Sequence, residues 1–230
     1  MTQTFFLLTV AGTLVAFVWM CQRVAQAAWV PVAGMLSAWL VLSGVIAGSG
    51  LLTDFSKPVP PLPRMVAITT VITTVFALSP WGGSLARAPL EWLTGLHMFR
   101  IAVEIFLWLG YRDGFVPVQM TFEGRNWDVL TGILAGAACW LARRGKLSRP
   151  MLLCWNLLGT ALLVNIVTIA ILSMPTPMRR FFNEPANIFV GRFPYTWLPV
   201  FLVQTAWFGH LIVFRRLLAR PAGEAGHLRS

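Results

Sequence analysis

The apolar stretch between Leu90 and Leu109 carries His97, Arg100 and Glu104. Spacings of three and then four residues stack all three on one helical face, which Trp108 and Tyr111 extend. Ionisable groups are costly inside a bilayer, so those that occur face a bundle interior and mark a function. Arg100 and Glu104 lie one turn apart and can pair with each other as a packing device. The alternative is chemistry, with Glu104 as a charge-switching group and Arg100 as its partner or an anion contact. Desolvation cancels much of the attraction in a buried pair, which weakens the purely structural reading.

Two connecting segments add polar groups in patterns that solvation alone does not explain. In the first, Met120 to Asp128, Asn126 or Asp128 suits a helix cap. Capping accounts for one of them, not for Glu123, Arg125 and Asp128 together. The second, Met178 to Pro194, sets Asn187 and Arg192 among several phenylalanines. It suits an interfacial helix or a lid over a ligand. With Asn165, these residues predict an outward-facing cleft lined by Arg100, Glu104, Glu123, Arg125, Asn126, Asp128, Asn165, Asn187 and Arg192. Mixed signs with surplus arginine suit a zwitterionic or anionic ligand, including a lipid headgroup. Glu123 or Asp128 would be the acid or base of a membrane enzyme acting on a lipid-linked substrate.

His97 and His210 give a different expectation. Each lies ~8–9 Å inside the same boundary at ~1.5 Å per residue. Matching depth on two spans would suit a bis-histidine haem b or a metal. Buried or interfacial histidines with ordinary partners are the alternative, and no cofactor is expected. HExxH, GxSxG, P-loop and dinucleotide motifs are missing. Lys57 and Lys146 lie in loops, so no lysine is placed for a retinal Schiff base.

The elements that position these residues are membrane spans. Of 230 residues, 57% are hydrophobic and 11% charged, and mean hydropathy is +0.71. A soluble domain is about a quarter charged. Spans need about 20 apolar residues, and the sequence predicts seven, at 4–21, 28–52, 65–79, 89–111, 126–142, 150–173 and 194–214. The fold class is an all-α polytopic bundle forming one transmembrane domain over 1–230. The first span is read as retained, although Ala25-Gln26-Ala27 resembles a cleavage site, because no basic residue precedes it. The formal charge of +10 reflects orientation rather than nucleic-acid binding. Ten basic residues, including Arg220 and Arg229 in the tail, fall on one side against seven on the other, which predicts N-out and C-in. The GxxxG pairs Gly44/Gly48 and Gly132/Gly136 suit helix packing within the bundle, with a homodimer as the alternative. The stripe Thr69, Thr70, Thr73 and Thr74 is expected to bond its own helix carbonyls. Cys21, Cys139 and Cys154 have no disulfide or zinc spacing.

The strings MTFEGRNWDVLTGI (120–133), LLVNIVTIAILSMPTP (162–177), NEPAN (183–187) and FPYTWLP (193–199) resemble an uncharacterised family of small bacterial multi-pass membrane proteins. The resemblance covers the chain from about Pro60 onward and implies a bacterial inner-membrane setting, with no activity attached. The leading expectation is binding or translocation of a small polar or amphiphilic solute. The alternatives are the membrane enzyme and a non-catalytic accessory subunit of a larger membrane complex.

Overall fold

The computed structural model describes residues 1–26 and 28–219. The tail residues Arg220 and Arg229, and Ala27 of the cleavage-like tripeptide, lie outside the described residues. Among the described residues, six helices are long and apolar enough to cross a membrane: α1 (Thr2–Val24), α2 (Trp29–Gly48), α3 (Pro61–Leu78), α5 (Leu90–Arg112), α7 (Arg149–Leu172) and α8 (Leu198–Leu218). Two shorter ones are α4 (Pro80–Leu85) and α6 (Val129–Arg143). The described residues are helical or irregular throughout, without strand.

Local chemistry explains the helix starts. Proline suits a first turn because its missing N–H has no intrahelical partner there anyway. Pro61, Pro80 and Pro150 open α3, α4 and α7 in this way. Ser79 and Ser148 add side-chain caps to Gly82 N and Met151 N. Pro199 sits in the first turn of α8, which is π-helical over Leu198–Leu202. At the basic end of the bundle, arginines close helix C-termini. Arg215 donates to Ala77 O and Ser79 O, Arg216 to Ala86 O and Arg149 to Leu217 O, satisfying carbonyls that a helix end leaves free.

α8 is the most enclosed long helix, and α3 and α7 pack on either side of it. α1 packs on α5, with Phe6 against Phe106 and Tyr195, and Thr2 Oγ1 donates to Asp113 at 2.6 Å. Two apolar clusters fill the bundle. One contains Phe6, Val103, Phe106 and Leu163, and the other Phe17, Leu93, Leu152 and Trp155. Arg100 lies between them on α5.

The predicted fifth span does not reach full length. α6 has 15 residues, about 22 Å at 1.5 Å per residue, short of a bilayer core. It pairs with the first half of α5, where Gly132 admits Ile101, whose backbone N would stand 3.0 Å from a Cβ. That Gly–Ile contact puts the second GxxxG pair to use inside the bundle. The chain before α6 folds inward to meet it: Gln119 bonds Ser173 at the end of α7, whereas Asp128 lies beside Arg100. Non-helical backbone at membrane depth survives only where protein satisfies it. Here Asn126 N donates to Thr121 O, Arg125 N to Gln119 O, and Asn165 to Arg125 O.

Three of the four threonines of the stripe behave as expected. Thr69, Thr70 and Thr74 bond carbonyls one turn back. Thr70 and Thr74 also accept from Gln204 and Trp207 of α8. The stripe is therefore an interhelical polar seam. Met178–Pro194 forms turns and a short 3₁₀ segment, Phe189–Gly191, rather than an interfacial helix.

Candidate functional site: a buried polar cluster under an apolar cavity

Arg100 is the eleventh of 23 residues in α5, Gly159 the eleventh of 24 in α7, and His210 the thirteenth of 21 in α8. Each is near the middle of its helix, and they meet. Arg100 Nε donates to Asp128 Oδ2 at 2.7 Å, and Nη2 donates to Asp128 Oδ1 and to Gly159 O at 3.2 Å. Nη1 lies 2.7 Å from His210 Nε2. A guanidinium can only donate, so His210 Nε2 accepts. That sets the tautomer: Nδ1 carries the proton and donates to Asn156 Oδ1 at 2.8 Å. Asn156 Nδ2 in turn donates to His210 O.

Gly159 is required by this arrangement. A Cβ there would stand 2.6 Å from His210 Cε1, and one at Gly209 would stand 2.5 Å from His97 Nε2. His97 packs edge to face on Trp155 (5.2 Å, 87°), and its ring nitrogens have no hydrogen-bond partner.

One turn beyond Arg100, Glu104 is 1% exposed. Its Oε1 accepts from Asn126 Nδ2 at 2.5 Å, and its Oε2 has no partner among the described residues. Asn126 also donates to Met120 O, and its Oδ1 accepts from Asp128 N at 3.1 Å. Asn126 is thus the splint that presents both carboxylates.

Several expectations are corrected here. Arg100 and Glu104 do not pair: the bidentate Asp128, 28 positions away, takes the guanidinium, because a fork of two N–H groups fits one carboxylate in a plane. Neither Asn126 nor Asp128 caps α6 through its side chain. The haem or metal pair also fails. The ring centroids of His97 and His210 are 4.3 Å apart with their planes tilted by 42°, leaving no room for a porphyrin between them. Both nitrogens of His210 are engaged, one by a cation. Among the described residues no group of three His, Cys, Asp or Glu is placed to hold a metal.

The proposed lining divides. Arg100, Glu104, Asn126, Asp128 and Asn187 are buried. Glu123 and Arg125 are exposed, the first accepting from Trp108 Nε1 at 2.6 Å and the second lying over the Phe181 ring. Arg192 is also exposed, and Asn165 holds the Arg125 carbonyl. Asn156 was missed, although an asparagine in an apolar span is a visible signal.

The cluster floors a cavity of about 430 Å³, within the range of small-molecule sites. Its walls are apolar rather than the polar cleft expected from sequence: Val66, Val103, Leu163, Ile166, Leu202 and Ala206, from α3, α5, α7 and α8. Polar groups enter at Arg100, Glu104, Asp128, Thr70 and Asn187. Asn187 Nδ2 donates to Ala170 O at 2.9 Å near the end of α7, and its Oδ1 has no partner. α3 and α7 both pack on α8 and make little contact with each other, and residues of both line the cavity.

Six apolar helices of spanning length among the described residues, with a charged cluster buried among them, fit a multi-pass membrane protein. Residues 62–218 match the model of the family described as a domain of unknown function, DUF8737, and the chain belongs to that family. No curated protein and no solved structure matches it.

Proposed function

We propose that this protein binds an amphiphile from the bilayer, with the apolar part of the ligand between α3 and α7 and its polar head toward Glu104. The observation that carries this reading is the cavity itself: apolar walls drawn in part from two helices that make little contact with each other, and a buried carboxylate oxygen without a partner among the described residues. A buried polar group without a hydrogen bond costs on the order of 1–3 kcal/mol, which a ligand head would recover. Translocation is the natural extension, since the site lies near mid-depth.

In this reading α6 and the inward-folded 113–128 segment together make a seventh crossing. The chain is one transmembrane domain, N-out and C-in, in a bacterial inner membrane. The end bearing Arg23, Arg87, Arg143, Arg144, Lys146, Arg149, Arg215 and Arg216 faces the cytoplasm. Acid–base catalysis at Asp128 is disfavoured because Arg100 occupies both of its oxygens.

The test is native mass spectrometry of the full chain extracted gently from its own membrane. A lipid-sized adduct that survives mild activation is expected. A clean apoprotein mass would sink the reading and favour the accessory-subunit alternative.

A further inference from the structure

We infer that the head group this cavity accepts carries a primary ammonium, and that it docks on Glu104. The inference rests on the amphiphile reading above and concerns the chemistry of its head.

Arg100 is committed to Asp128, His210 and Gly159 O, so its charge is offset and its fork is occupied. Arginine therefore does not make this an anion site, in contrast to what surplus arginine in the sequence implies. Glu104 remains, buried beside a pair that is already neutral. With both carboxylates ionised, the Arg100–Asp128–Glu104 group carries one net negative charge. Such a charge in a low-dielectric interior demands a cation or a proton.

Among the described residues, two buried side-chain atoms on the cavity wall lack a partner: Glu104 Oε2 and Asn187 Oδ1. Asn187 is fully buried and its amide nitrogen is used on Ala170 O. An amide oxygen only accepts, as does a carboxylate. Thr70, the other polar residue of the wall, already donates to Val66 O and accepts from Gln204. The cavity thus presents unused acceptors, at depth and near its end by Ala170. An ammonium supplies three donors and one positive charge. A quaternary ammonium supplies charge without a donor, a glycerol hydroxyl supplies a donor without charge, and an anionic head repels Glu104.

The experiment uses the full-length protein in mild detergent, titrated with phospholipids of identical acyl chains and read by native mass spectrometry. The heads are ethanolamine, its N-monomethyl and N,N-dimethyl forms, choline and glycerol, with diacylglycerol as the hydroxyl probe. Ethanolamine is expected to bind at least about tenfold more tightly than choline, roughly the weight of one charge-assisted hydrogen bond. Affinity should fall along the methylation series, and Glu104→Gln should bring ethanolamine and choline together. The methylation series needs no variant, so it stands even where Glu104→Gln fails to fold. Equal binding of all heads, or preference for glycerol or diacylglycerol, overturns the ammonium inference and leaves the amphiphile reading intact. Retention of no lipid at all overturns both.

Discussion

Arg100 and Asp128 form a two-pronged ion pair that joins α5 to the residue immediately before α6. Both are almost completely buried, at 1% and 4% exposure. The pair fixes where the chain ends its inward excursion and where the short helix begins. Removing one member leaves the other as an uncompensated buried charge, which costs about 3–5 kcal/mol. Asp128→Asn and Arg100→Met are each expected to lower the melting temperature in detergent strongly. The double variant Arg100→Met/Asp128→Leu should recover part of that loss. A double variant less stable than either single one would show that the pair stabilises beyond its mutual neutralisation.

Gly159 and Gly209 make room for two imidazoles. Gly159→Ala should cost about 1–3 kcal/mol through overpacking, with His210 pushed off Arg100, whereas Gly48→Ala meets no atom within 4 Å and should be silent. Thermal unfolding of the two variants in parallel checks the contrast, and equal effects would contradict the packing described.

Ala206 lies in α8 on the cavity wall and is 1% exposed. Ala206→Phe should fill part of the space left for a ligand. The expected outcome is a folded protein that retains less lipid through purification, read by mass spectrometry against wild type. Undiminished lipid would move the binding site elsewhere, to the smaller cavity of about 260 Å³ around Gln204 and Trp81 for instance.

Glu184 lies outside the spans. The side-chain hydrogen bond from Arg179, and then the backbone N–H of Ala186, hold its carboxyl below the ordinary glutamate range. A carboxylate with a depressed folded value stabilises its loop above the unfolded value, and that contribution is lost as pH falls through the folded one. Amide exchange at Ala186 should therefore accelerate on acidification below the usual carboxylate range. In Glu184→Gln the acid-induced change should vanish. A wild-type exchange profile with no acid limb beyond the intrinsic rate would refute the assignment.

Much of the architecture was readable in the residues. Apolar runs of 18 to 24 residues announce the six long helices, because a bilayer tolerates few alternatives to a helix. The shared face of His97, Arg100 and Glu104 is the buried face, as three-and-four spacing requires. The pairing on that face was not readable. Spacing of four permits an Arg100–Glu104 contact, but cannot weigh it against an aspartate 28 residues on that arrives in a better plane. The predicted start of the fifth span at residue 126 also failed, since Asn126 and Asp128 turn inward to serve α5 rather than opening a longer helix.

Amino-acid order alone was enough to indicate an all-α, multi-pass membrane protein and to show that His97, Arg100 and Glu104 share one face that must avoid lipid. Those are local properties, set by run length, periodicity and the solvation of each side chain. The partners of Arg100, the tautomer of His210, the two idle acceptors and the apolar character of the cavity required the packed bundle. Each depends on residues far apart in the chain arriving at one depth, where α3 and α7 both pack on α8 and line one cavity with it.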